Sequence, residues 1–438
     1  MYNFFVRCLL AILLVACTGV EASYLDASRI VRVGLTKLGT PQSFTIEPST
    51  GFIELFNKSK NQAVYSGKAA TVVVSIFQGG KIKVAIDNRK SLYYESSELL
   101  FSPLGKNPLN LKIKAGGKKS FAYRGTISVI PDKGGLLAVN LVDIEDYLKS
   151  VVPSEISTRS PDAAQEAQAI AARTYAIRNL FRHGQGKYQV CDTVHCQVYP
   201  GIVKEIAAAS RAVKKTEGQI LSFSGSPANT VYHSNCGGYL ISSKAAWSGT
   251  EIKYLSSHFD GISGQEPFCS YGIRFRKNQP TGKLPAPAKD LIAKPLPWNT
   301  RKLHHKNFGH RVGMCQDGAI GMGAIGYSAR QILAFYYPGT RIETLNYAVP
   351  GIKPHIETEK PLVVAMKPAV SSTPLEGPFN PTQISTLTRN SRTNRGKSSL
   401  LETLKSISNA KSGSAATGIR KMFWTPAQPG LSRQRNIL

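Results

Sequence analysis

From Ile30 to about Val139, apolar and polar positions alternate in short β-branched runs: IVRVGL, TVVVSIF, KIKVAI, LNLKIKAG and GTISVI. A period of two turns one face of each run inward and predicts strands. Polar and glycine breaks, such as Gly79-Gly80 and Gly116-Gly117, separate them. Past Val139 the period lengthens. Asp143 to Val152 predicts a short helix halted by Pro153, because proline lacks an N–H and crowds the preceding turn. A longer Ala-rich helix follows, with Ser160 as N-cap, Pro161 at the first helical position and Asp162 in the first turn. Its inward stripe is Ala163, Ala167, Ile170, Ala171, Thr174, Ile177 and Phe181, and it stops near His183-Gly184. The small residues in that stripe imply close packing against another element.

A second helix is expected from about Val203 to Gly218, with Gly218 as its C-cap. Strand-like QILSF and NTVYHSNCGG come next. The proline-rich stretch Lys277 to Trp298 reads as an exposed loop. SARQILAFYYPGT opens a last helix that ends at Pro338-Gly339. The order of elements predicts an α+β fold: a strand-rich N-terminal part, an α/β region after it, and a groove beside the Ala-rich helix. Residues 351–438 turn to Pro, Ser, Thr, Asn, Lys and Arg, with 13 Lys+Arg against 4 Asp+Glu, and read as a disordered basic tail. That tail is either a solvated linker or an anchor to an anionic surface.

Charge and the N-terminus narrow the functional classes. The 438 residues carry 55 Lys+Arg against 27 Asp+Glu, a formal charge of +28, which favours polyanionic surroundings. Arg7 precedes the apolar run CLLAILLVAC, so residues 1–22 have the length and flanks of a secretory signal peptide. Two processing sites compete. Leu14-Val15-Ala16-Cys17 resembles a bacterial lipoprotein box, which would leave a lipidated, membrane-attached Cys17; Val20-Glu21-Ala22 is a small-x-small site. Either implies export to the periplasm or cell envelope. Export argues against nucleic acid as a partner and for an envelope polymer.

Between the two expected helices lies one acid, Glu155, in VVPSEI. Val151, Val152 and Ile156 are its apolar neighbours, on what reads as a loop between the helices. Apolar surroundings disfavour the carboxylate ion and raise its pKa, as a proton donor near neutral pH requires. The alternative is a surface glutamate in a connection.

Five cysteines remain beyond the N-terminal segment: Cys191, Cys196, Cys236, Cys269 and Cys315. An odd number cannot all pair within one chain, which leaves a metal site or a free thiol beside any disulfide. HGQGKYQVCDTVHCQVY holds His183, Cys191, His195 and Cys196, and YHSNCGG adds His233 and Cys236. Thiols and imidazoles at this density suit tetrahedral zinc, although neither segment has a strict finger spacing. There is no H-E-x-x-H, so a zinc peptidase is not supported. In GHRVGMCQDGA, His310, Arg311 and Gln316 stand among glycines that let backbone approach a ligand. These glycines follow no nucleotide-binding pattern. His310 and Gln316, with His233 and Ser234, form either a sugar-binding wall or tight turns around core histidines.

The blocks VNLVDIEDYLKSVVPSEI, AAQEAQAIAARTYAIRN, CDTVHCQVYPG, TVYHSNCGGYLISSKAAW and GHRVGMCQDGAIGMGAIGYSARQILAFYYPGT occur in one order. That order resembles the stage II sporulation protein D (SpoIID) family, which shares a domain with the LytB amidase enhancer. The resemblance spans residues 28–347 and is most specific from residue 139. It implies a peptidoglycan lytic transglycosylase, acting on strands stripped of stem peptides, with Glu155 as its single acid/base. It also implies zinc held by Cys191, Cys196 and His183, with His195 and Cys236 as alternatives and a disulfide as the competing use of the thiols. The family blocks favour a glycan groove for His233, Ser234, His310 and Gln316. Tyr175 and Arg173 either line the same groove or pack and pair. The chain departs from the common family form at Cys315, usually Ser, and at Asp317, often aromatic. The runner-up activity is a non-catalytic peptidoglycan-binding activator of a cell-wall amidase.

Overall fold

The computed structural model describes residues 29–95, 98–104, 111–115, 120–184, 186–280, 286–287, 304–345 and 357–358. The expected signal segment with Cys17, most of the expected Lys277–Trp298 loop and almost all of the expected 351–438 tail lie outside the described residues.

The expected alternation produces strands throughout the N-terminal part. They are β1 (Ile30–Gly34), β2 (Ser43–Pro48), β3 (Phe52–Asn57), β4 (Gln62–Lys68), β5 (Val72–Ile76), β6 (Ile82–Ile86), β7 (Lys90–Tyr94), β8 (Leu99–Pro103), β9 (Leu111–Ala115), β10 (Phe121–Tyr123), β11 (Thr126–Asp132) and β12 (Gly135–Asp143). With the two-residue β13 (Val190–Cys191), seven strands make a sheet in the order β13-β1-β12-β11-β8-β3-β4. A second sheet runs β10-β9-β2-β5-β6-β7. Pairing is antiparallel except where β13 joins β1 in parallel, Val33 opposite Val190 and Gly34 opposite Cys191. Val31, Val33, Ile53, Leu55, Leu99, Phe101, Ile127 and Val129 of the first sheet share a core with Phe44, Ile46, Val72, Val74, Ile82 and Val84 of the second. Such burial stabilises by roughly 25 cal/mol per Å² of apolar surface removed from water, which is what selects this register.

β12 runs straight into α1 (Ile144–Glu155). The Asp143 side chain accepts the Glu145 N–H at 2.8 Å and caps the helix. Pro153 does not end the helix, contrary to expectation: it lies inside the last turn, and Glu155 is the final helical residue rather than part of a loop. A proline one turn from a C-terminus removes a single ladder bond. The turn is closed around it by the Ile156 N–H donating to the Val152 carbonyl at 3.0 Å and Ser154 Oγ donating to the Ser150 carbonyl at 2.7 Å.

α2 (Asp162–Arg178) has Pro161 at its N-cap position, with no side-chain cap bond, and ends five residues before His183. Ser160 instead bonds Ser157, its hydroxyl donating to the carbonyl at 2.6 Å. The helix is buried almost all round, well beyond the predicted stripe, whereas Phe181 is 64% exposed. Ala164, Ala167, Ala169, Ala171, Ala172 and Ala176 let neighbours approach from every side, which makes α2 the central helix of the C-terminal region. The second expected helix is shorter, α3 (Ala207–Lys215), after a 3₁₀ turn over Gly201–Lys204. Gly218 lies past its end at φ +74°, in the turn into β14 (Gln219–Phe223).

β14 pairs with β15 (Ser226–Pro227) and β18 (Arg341–Thr344), and β18 with β19 (Glu357–Thr358). β16 (Tyr232–His233) and β17 (Met314–Cys315) pair in parallel, Tyr232 opposite Met314 and His233 opposite Cys315. The remaining helices are α4 (Ser243–Trp247), α5 (Phe268–Arg276), α6 (Gln316–Ile325) and α7 (Ala329–Tyr336), the last opened by a Ser328/Gln331 capping box. α5 and α6 approach to backbone contact through glycine: a Cβ at Gly272 would stand 1.7 Å from the Asp317 carbonyl oxygen. Among the described residues, no helix is long and apolar enough to cross a membrane.

Candidate active site and sulfur clusters

β12 and its cap deliver α1 so that Glu155 sits at the end of the helix, next to α2. Part of Glu155 remains open to solvent, but its carboxyl group is enclosed by protein. Desolvation raises its pKa from 4.5 to about 7, against the opposing effects of the Val198 N–H and the Lys37 ammonium. Val198 N–H donates to Glu155 Oε1 at 3.1 Å. At neutral pH this carboxyl group is therefore divided between acid and carboxylate, the condition a proton donor that must also serve as a base requires.

Tyr147, Tyr175 and Tyr232 all lie within electrostatic reach of Glu155. Gln197 ties two of them together. Its Oε1 accepts from the Tyr147 hydroxyl at 3.1 Å, while its Nε2 donates to the Tyr232 hydroxyl at 3.0 Å and to the Ala172 carbonyl at 3.2 Å. The Tyr175 hydroxyl accepts from Arg182 at 3.2 Å, and its ring lies 6.2 Å from that of Tyr232. Burial pushes the Tyr175 phenol up to about 12, so it stays a neutral hydroxyl.

Tyr232 links this centre to the residues expected to form a groove. His310 Nε2 donates to the Tyr232 carbonyl at 3.1 Å, and the Val312 N–H donates to His310 Nδ1 at 3.1 Å. These two bonds select the neutral ring with its proton on Nε2. Burial drives the His310 pKa down to about 3. The His310 ring lies 5.3 Å from both His233 and Trp247. His233 is buried, with Nδ1 3.2 Å from the Val312 carbonyl, whereas Ser234 is exposed. Gln316 opens α6 and donates to Gln168 Oε1 of α2 at 3.4 Å.

Arg173 does not face a groove. It is fully buried and forks onto Glu145, Nε to Oε1 at 2.9 Å and Nη2 to Oε2 at 2.6 Å, and donates also to the carbonyls of Gln219 and Val213. Glu145 in turn accepts the Gly218 N–H at 3.2 Å. The pair fastens α1 to α2 and to the turn before β14, so its role is to hold the helix that carries Glu155.

His183, Cys191, His195 and Cys196 bring their ligand atoms within 4.8 Å of one another. His183 Nε2 is 3.3 Å from Cys196 Sγ, and His195 Nδ1 is 3.7 Å from Cys191 Sγ and 3.6 Å from Cys196 Sγ. Two thiols and two imidazoles at this spacing fit a tetrahedral zinc ion. The cluster borders the acid: Cys196 is followed directly by Gln197, which orients the tyrosines, and by Val198, which bonds Glu155. Cys236 does not join it. Cys236 lies instead with Asp260, Cys269 and Cys315 in a second group, because the parallel β16–β17 pairing carries the YHSNC segment toward GMCQ and away from β13.

Sequence reasoning did not single out Lys37, Tyr147, Gln197, Val198 or Tyr232. Several stand inside the quoted blocks, but nothing in local spacing separates a tyrosine that faces an acid from one that packs. Lys37 comes from the strand-rich part, and only the tertiary fold brings it near.

The family model described as stage II sporulation protein (SpoIID) matches residues 132–223, from the end of β11 through β14. An uncharacterised protein of Brachyspira hyodysenteriae (strain ATCC 49526 / WA1) is 25% identical over 372 residues, covering 75% of this chain and 96% of that protein. Stage II sporulation protein D of Bacillus subtilis (strain 168) is 25% identical over 260 residues, 47% of this chain and 76% of the relative. The amidase enhancer of the same organism is 32% identical over 151 residues, which is 34% of this chain and 19% of the enhancer. Residues 132–223, which hold Glu155 and the His183/Cys191/His195/Cys196 cluster, match the SpoIID family model, and the chain is similar in sequence to stage II sporulation protein D and to the amidase enhancer.

Proposed function

We propose that the chain is an exported cell-wall enzyme, a lytic transglycosylase that cuts peptidoglycan glycan strands between muramoyl and glucosaminyl residues, with strands stripped of stem peptides as the preferred substrate. The observation that carries this reading is the enclosed Glu155 carboxyl, held by Val198 N–H with its pKa raised to about 7. Glu155 in its acid form gives its proton to the glycosidic oxygen as the bond to the muramoyl C1 breaks. The resulting carboxylate takes the proton of that sugar's C6 hydroxyl as its oxygen closes on C1. The product is a 1,6-anhydro ring, no water is consumed, and the carboxyl group returns protonated. Hydrolytic glycosidases generally need a second carboxylate; here the nucleophile belongs to the substrate.

Tyr175, His233, Ser234, His310 and Gln316 are the residues we assign to the glycan groove, with neutral His310 as a hydrogen-bonding rather than a charged group. His183, Cys191, His195 and Cys196 would hold zinc, whose chemistry here is to crosslink the segment that ends at Val198. Export to the envelope, with or without a lipid on Cys17, rests on the N-terminal sequence. Homology to an amidase enhancer favours a second reading, a peptidoglycan-binding protein that stimulates a cell-wall amidase.

Mass spectrometry of glycan strands, intact and peptide-stripped, after incubation with the chain separates the two. Products ending in 1,6-anhydro-muramic acid support the transglycosylase. Reducing ends mean hydrolysis. No cleavage by folded, zinc-loaded protein supports the activator.

A further inference from the structure

The second sulfur group lies outside this mechanism. Cys236 follows β16, Asp260 precedes α5, Cys269 stands in the first turn of α5, and Cys315 is the N-cap of α6. All four are fully buried, at 0% exposure. Their ligand atoms lie within 4.8 Å of one another, with Cys236 Sγ 3.6 Å from Cys269 Sγ. We propose that Cys236, Asp260, Cys269 and Cys315 form a second zinc site, closed and structural, with three thiolates and one carboxylate as ligands.

Three observations support it. The first is spacing. Zinc–thiolate bonds of about 2.3 Å place tetrahedral sulfurs about 3.8 Å apart, close to the observed separation. A cluster of several irons would hold its thiolates farther apart, because the metal core fills the space between them. The second is the surrounding shell. The Tyr336 hydroxyl donates to Asp260 Oδ1 at 2.6 Å, and the Cys269 N–H donates to Asp260 Oδ2 at 3.0 Å. Cys315 Sγ accepts the N–H groups of Cys236 and Gly318, each at 3.3 Å, at the positive end of α6. Hydrogen bonds that orient ligands from behind are what metal sites require. That shell closes on a glycine: a Cβ at Gly318 would stand 1.9 Å from the Tyr336 hydroxyl and 2.8 Å from Asp260 Oδ1. The third is number. Three thiols cannot all pair off among themselves, and a cation among them would offset the desolvation of the buried Asp260 carboxylate.

Four protein ligands leave no open position, so the ion would be structural. It would clamp the turn after His233 and Ser234 to the start of α6, where Gln316 stands. The proposal is independent of the enzymatic reading.

The test is zinc content of the purified full-length chain by elemental mass spectrometry, in a Cys191→Ser/Cys196→Ser background that removes the first cluster. One zinc per chain should remain and should disappear on adding Cys269→Ser. A folded background variant without zinc overturns the proposal. Should these variants not fold, thiol alkylation of the wild type, mapped by peptide mass, decides. Cys236, Cys269 and Cys315 should be protected until a chelator is added and reactive afterwards. Protection that a chelator leaves unchanged, or a disulfide between any two of the three, overturns it.

Discussion

Val198 N–H points at Glu155 Oε1 from 3.1 Å, two residues beyond Cys196. One short segment therefore connects a thiol of the first cluster, the glutamine that orients Tyr147 and Tyr232, and the donor that touches the acid. Anything that moves this segment alters both the position and the proton affinity of Glu155.

Glu155→Gln preserves size, and its amide oxygen can still accept from Val198. The variant should fold as the wild type does and lose roughly 10²- to 10⁴-fold in glycan cleavage, the usual contribution of a positioned acid/base. Circular dichroism and anhydro-product counting check the two halves. A folded variant with full cleavage would remove Glu155 from the mechanism.

The raised pKa makes a prediction about stability as well. The folded carboxyl has a pKa of about 7 against 4.5 for a glutamate in water, so between these values the folded chain holds the extra proton. Wild-type stability should therefore fall as pH rises from about 4.5 to about 7, by up to about 3 kcal/mol, and level off above that. Glu155→Gln should lack this component. Urea denaturation of both proteins across the range measures it. The same ionisation predicts that kcat/KM for cleavage declines as pH rises through about 7, since the proton donor is being lost.

Arg173→Met removes the guanidinium that forks onto the buried Glu145 carboxylate. A loss of about 3–5 kcal/mol is expected. The double change Arg173→Met with Glu145→Leu should recover much of it, because the desolvation cost of both charges is removed together. Denaturant midpoints of the four proteins in the cycle provide the comparison. A loss confined to substrate binding, with stability unchanged, would instead restore Arg173 to the groove.

Loss of the zinc proposed for the first cluster should loosen the 191–198 segment. Cys196→Ser is expected to lower zinc content by one ion per chain, expose this segment to protease, and reduce cleavage by about 10²-fold through misplacement of Glu155. Elemental analysis, limited proteolysis and product counting are the three readouts. Normal cleavage in a folded chain lacking that ion would separate the cluster from the acid.

Period-two and period-3.6 patterns by themselves determined the strand-rich N-terminal part, the two long helical segments and the Ser328 helix start, because these depend on neighbours within a turn or a pleat. Local apolar neighbours and the order of the blocks were enough to single out Glu155, and cysteine and histidine density marked out His183, Cys191, His195 and Cys196. Tertiary structure alone decided the rest. Pro153 stays helical because side-chain and backbone bonds close the turn around it. Arg173 is interior because Glu145, one helix away, meets it. Cys236 belongs with Asp260, Cys269 and Cys315 because a parallel pairing between strands far apart in sequence, Tyr232 opposite Met314, brings them together. Lys37 reaches Glu155 only through the packing of the strand-rich part against α1. Each of these depends on burial and on partners distant in sequence, and neither periodicity nor spacing carries that information.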